Sequence, residues 1–119
     1  MGVEAIYAAA SVSLAALETL VHFSVLPRDY VLTEIHIPEA VVESLDEEDL
    51  PAGWDTLSPS AVTQEIGHGW AVEHRSAVLS VPSAIVPVDR NYVLNPKHRD
   101  FGRIKFLPST PFRFDPRLK

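Results

Sequence analysis

Apolar and polar positions along the chain change period several times, and each change marks an element. Residues 3–10, VEAIYAAA, are apolar enough to open as a short strand. Behind them Ser11 or Ser13 can cap a helix, because a hydroxyl accepts from one of the first N–H groups that no helical carbonyl reaches. Leu14, Leu17 and Val21 then recur at i, i+3 and i+7, which predicts an amphipathic helix running to about Phe23 and stopped before Pro27. In residues 30–37, YVLTEIHI, the period is two: Val31, Thr33, Ile35 and Ile37 share one face, and Tyr30, Leu32, Glu34 and His36 the other. That is a strand, ended by Pro38.

Residues 43–59, ESLDEEDLPAGWDTLSP, have no period and predict a solvated acidic loop. A second helix is predicted in SPSAVTQEIGHGWAVEH, with Ser58 or Ser60 as cap, Pro59 in the permitted first turn and Ile66 and Trp70 on one side; Gly67 and Gly69 weaken it. SAVLSV and AIVPV read as strand segments interrupted at Pro82 and Ser83, DRNYVLNPKHRDF as a loop, RIKFL as a further strand and PFRFDPRLK as an extended tail. Strands and helices mix without strict βαβ alternation. The expected fold class is therefore α+β, a single domain with a mixed sheet core and a few helices.

One residue disturbs the first helix. Glu18 falls inside the stripe of Leu14, Leu17 and Val21, and a buried carboxylate costs several kcal/mol unless it is hydrogen-bonded or paired. Three readings stay open. The helix is rotated and Glu18 reaches solvent; Glu18 is a sheltered site acid; or Glu18 and His22, one turn apart, hold a metal. For the last, His36, His68, His74 and His98 offer no ligand spacing that supplies a third donor, so no metal is expected.

Composition narrows the function classes. The 119 residues are 46% hydrophobic and 22% charged, as in a globular domain with its own core. With 16 acidic against 10 basic residues the formal charge is −6, which lacks the clustered positive charge that nucleic-acid phosphates require. No cysteine is present, which removes disulfides, thiolate nucleophiles and zinc–thiolate sites and suits a reducing compartment. The longest apolar run, near residues 8–17, is short and broken by serines, so neither a signal peptide nor a membrane span is expected. Gly-rich phosphate loops and Gly-x-Ser-x-Gly are absent. Tyr7 would end the first strand, Ser83 sits where the VPSAIVP run breaks, and Arg90, Asn91, Asn95 and His98 crowd one predicted loop with donors for a phosphate or an amide.

The order AIYAAASVSLAALETLVHF, LPRDYVLTEIHIPEA, SLDEEDLPAGW, VPSAIVP, NYVLNPKH and FRFDPRL closely resembles the RES domain, the toxin half of bacterial RES/Xre toxin–antitoxin pairs, over nearly the whole chain. The resemblance implies an ADP-ribosyltransferase-like fold and a NAD-consuming activity, by phosphorolysis or by transfer of ADP-ribose to a protein. The family glutamate falls on Glu18, the aromatic before it on Tyr7 and the serine on Ser83. Glu18 would stabilise the oxocarbenium-like cation formed as nicotinamide leaves, Tyr7 would stack on the nicotinamide or its ribose, and Ser83 would hydrogen-bond the carboxamide or a ribose hydroxyl. Arg90, Asn95 and His98 are the candidate NAD-binding donors. The family arginine lies in a Gly-Arg-Trp segment before the aromatic and has no counterpart in residues 1–6, so the domain is expected to be short at its N-terminus. The same resemblance implies an Xre-type helix-turn-helix antitoxin as partner, a tendency to dimerise and a cytoplasmic location. The alternative is a truncated domain that keeps its binding surfaces and has lost turnover.

Overall fold

The computed structural model describes residues 5–50, 52 and 61–119. In chain order the elements are β1 (Ile6–Ala9), α1 (Val12–Leu20), β2 (Tyr30–Leu32), β3 (Ile35–His36), β4 (Val42–Ser44), α2 (Ala61–Val72), β5 (Val78–Pro82), β6 (Arg90–Leu94), β7 (Lys105–Phe106) and β8 (Thr110–Phe112), with short 3-10 turns between some of them. The expected α+β class is observed. Four strands form one mixed sheet in the order β1-β6-β5-β4: β6 runs antiparallel to both of its neighbours, and β4 joins β5 in parallel. Two separate ribbons, β2 with β8 and β3 with β7, are antiparallel.

Strand alternation lets this sheet bury both faces. Val78 and Leu94, which are register partners, join Val41, Ala77 and Ile104 in one core, with Ile6, Ala8 and Tyr92 packed around it. Leu79 and its partner Val93 turn the other way, onto Trp70 and Ala71 of α2. The indole Nε1 of Trp70, which is 1% exposed, donates to Ser76 Oγ, whose hydroxyl donates to the Val78 carbonyl, so burying this polar tip leaves no unpaired donor. No helix among the described residues is long and apolar enough to cross a membrane.

Several expectations need correction. The central strand β6 lies in the stretch read as a loop; its Arg90 and Asn91 look like loop residues, yet β1 and β5 satisfy its backbone from both sides. Residues 84–88, AIVPV, read as a strand, instead form bends and a turn, in which Ser83 Oγ accepts from the N–H groups of Ile85 and Val86 at 3.1 Å each. YVLTEIHI is two strands, because Tyr30–Leu32 pairs with β8 and Ile35–His36 with β7. The acidic stretch is a loop only in part, since Val42–Ser44 adds a parallel edge to β5. RIKFL supplies only the two residues of β7. The caps proposed at Ser58 and Ser60 lie outside the described residues. The first helix is capped by Ser11, whose side chain accepts from the Leu14 N–H, and it ends at Leu20. It buries Leu14 and Leu20, whereas Leu17 and Val21 are exposed, so the apolar stripe is rotated from the one predicted.

Candidate active site

That rotation turns Glu18 inward without sealing it off: the residue is half-buried. The helix carrying it follows β1 directly, and β1 lies against β6, so Glu18 comes to rest over the start of β6 and the turn that leads into it. Two donors meet it there. Ser83 Oγ–H donates to Glu18 Oε2 at 2.8 Å, and Asn91 Nδ2 donates to the same oxygen at 2.6 Å. His22, considered above as its partner, is exposed. Among the described residues no ion pair involves Glu18.

Ser83 is fixed by everything around it. Its N–H donates to the Asp89 carbonyl at 2.9 Å, which closes the turn, and its side-chain oxygen takes the two N–H groups of Ile85 and Val86. A hydroxyl has two acceptor positions and one hydrogen, so both acceptor positions are filled and the hydrogen goes to Glu18. With 0% of its surface exposed, Ser83 has nothing left for a carboxamide or a sugar hydroxyl. Its chemistry here is to hold the carboxylate.

Asn91 is less comfortable. Its Oδ1 is buried and has no hydrogen-bond partner among the described residues. Rotating the amide would set Oδ1 against the carboxylate, so the observed orientation follows from charge. An unpaired buried acceptor costs about 1–3 kcal/mol. The site therefore keeps its second donor at the expense of stability.

Tyr7 sits opposite Val93, and Ala9 opposite Asn91, so Tyr7 lies two residues along the same sheet face as Asn91. It is 78% exposed. It also borders a cavity of about 1040 Å³, as do Ser11, Ala15, Glu34, Ser80 and Tyr92. Ser11 and Ala15 of the first helix line this cavity, and Glu18 is not among its lining residues.

The three candidate NAD donors are distributed differently. Arg90 donates through Nε to Ser80 Oγ at 3.0 Å and through Nη2 to the carbonyls of Leu45 (2.6 Å) and Ser80 (3.0 Å), with Asp46 3.6 Å from Nη1; its guanidinium straps β6 and β5 to the chain after β4. Asn95 and His98 lie past the opposite end of β6. There Asn95 Nδ2 donates to the Ala71 carbonyl, and His98 bridges the His74 carbonyl through Nε2 and the Asp100 N–H through Nδ1. The structure thus joins Glu18 with Ser83, sets Tyr7 on the same sheet face, and leaves Asn95 and His98 elsewhere. Asn91, which sequence reasoning grouped only with loop donors, is the residue that joins them; the one signal for it is register, since β1 must lie beside β6.

The RES domain family model matches residues 1–115. The chain is 44% identical over 121 residues to Toxin Res of Photorhabdus laumondii, covering 99% of this chain and 78% of that protein. It is 40% identical over 123 residues to the Prs ADP-ribosylating toxin of Sphingobium sp. strain YBL2, covering 99% and 76%. It is also 40% identical over 121 residues to Toxin Res of Yersinia enterocolitica, covering 99% and 80%.

Proposed function

Because the chain belongs to the RES domain family, we propose that it is a toxin that consumes NAD by breaking the bond between nicotinamide and ribose, with Glu18 as the acid that carries the chemistry. The observation behind this reading is the state of Glu18: half-buried, oriented by two neutral donors, and in no ion pair among the described residues. In NAD the nicotinamide nitrogen already bears a positive charge. When the C1′–N bond breaks, the electron pair leaves with that nitrogen, nicotinamide departs neutral, and the positive charge passes to the ribose ring. The leaving group needs no proton, so one carboxylate suffices where sugar hydrolases generally use two. A fixed negative charge in a partly desolvated site stabilises the cation better than mobile water does. An acceptor oxygen then bonds to C1′, and its proton passes to solvent water.

The acceptor is phosphate, water or a protein side chain. One relative is named as an ADP-ribosylating toxin, which favours transfer to a protein. Tyr7, exposed on the same sheet face, is suited to stack on the nicotinamide or the ribose. Incubating the purified chain with NAD, with and without phosphate, and following nicotinamide release tests the proposal. Glu18→Ala is expected to lower release by about 10²–10³-fold, the scale for removing one preorganised electrostatic group, while the folded protein keeps its melting transition. Release that is unchanged in Glu18→Ala overturns the assignment. The resemblance also supports an Xre-type helix-turn-helix partner acting in the cytoplasm, and the charge of −6 suits a partner with a basic face. Co-purification with such a protein encoded beside it is the corresponding check.

A further inference from the structure

We infer that Ser83 and Asn91 form a charge-neutral clamp on Glu18, in which Asn91 is a positioning residue for the proposed NAD chemistry. The inference rests on that proposed reading and deepens it. Both donors fall on Oε2, and no described hydrogen bond reaches Oε1. The carboxylate is thereby fixed in direction while one oxygen is spared. A lysine or arginine at position 91 would orient Glu18 equally well but would cancel the charge that the developing cation needs. An apolar residue would leave the charge intact but unaimed. An amide does neither, and the unpaired Oδ1 of Asn91 marks a residue held for a purpose other than stability.

The titratable and charged groups that flank this clamp along the chain or in strand register are Tyr7 from β1, His22 one turn further along α1, and Asp89, Arg90 and Tyr92 beside Asn91, where Arg90 is engaged by Ser80, Leu45 and Asp46. None of them donates to Glu18 among the described hydrogen bonds.

Asn91→Asp is the decisive variant. When protonated, the introduced carboxyl group donates to Glu18 as the amide does; when both acids are ionised they repel, so one of them titrates upward. Nicotinamide release by this variant should lie within about 10-fold of wild type at acidic pH and fall as pH rises, a limb absent from the wild-type profile. Asn91→Ala should lower kcat by about 10–100-fold, as loss of an orienting partner does, with KM changed by less than about 3-fold. Carbon-detected NMR titration of the carboxyls at positions 18 and 91 provides a readout independent of turnover: in Asn91→Asp one member of the pair should titrate at higher pH than Glu18 does in wild type. If Glu18→Ala abolishes release while both Asn91 variants keep wild-type kcat and pH profile, the clamp is overturned and the functional reading stands. If wild type leaves NAD intact, the functional reading falls and the NMR titration alone decides the clamp: it is overturned if neither carboxyl of Asn91→Asp titrates at higher pH than Glu18 of wild type.

Discussion

The two ends of β6 carry similar side chains in opposite conditions. At the far end Asn95 donates to Ala71 and accepts from the Lys97 N–H, while both ring nitrogens of His98 are engaged by backbone groups; Asn95 and His98 are 3% and 8% exposed. These groups fasten the C-terminal end of α2 and the chain after β6 to one another. At the near end a half-buried carboxylate holds two donors on one oxygen, and Asn91 keeps a buried atom unpaired. A polar cluster with every group matched does structural work. One that leaves a charge and an acceptor unmatched gives up stability, and it is the one to which the proposed chemistry is assigned.

The sharpest way to break this comparison is to truncate the residue that belongs to both descriptions. Ser83→Ala removes one donor from Glu18 and also unbinds the N–H groups of Ile85 and Val86. Turnover should fall by about 100-fold, and stability by about 1–3 kcal/mol for the newly unpaired groups; a loss of stability alone would make the turn, and not the carboxylate, its business. Next in size is Asn95→Ala at the far end, which should cost about 1–3 kcal/mol in chemical denaturation while turnover per folded molecule is unchanged. A fall in turnover at a temperature where the variant is folded would erase the contrast between the ends. The smallest effect is expected for Glu18→Leu. Removing a partly desolvated acid is favourable and leaving two donors unpaired is not, so stability should stay within about 1 kcal/mol of wild type. A loss as large as that of Asn95→Ala would show that the near end is as structural as the far one.

Much of this architecture is legible in the sequence where a residue's neighbours in space are its neighbours in the chain. Ser11 as the cap of α1, Trp70 on the buried side of α2 and the apolar run of β5 all follow from local spacing. β6 was not legible, because Arg90 and Asn91 make it look like a loop until strands on both sides are known. The apolar residues 84–88 misled in the other direction: they form a turn that Ser83 organises. Glu18 stood out from its stripe, and the family resemblance pointed to Ser83. Neither route reached Asn91, whose contact with Glu18 spans 73 residues and exists only because β1 is laid beside β6. The same topology explains why Arg90, Asn95 and His98, close in sequence, serve different ends of a strand.

The placement of β6 between the first strand and β5 also has a consequence for synthesis. Glu18 emerges from the ribosome 73 residues ahead of Asn91, and at about 5–20 residues per second that interval is roughly 4–15 s. For the first 65 of those residues neither donor has been made, and Asn91 is the last of the three to follow.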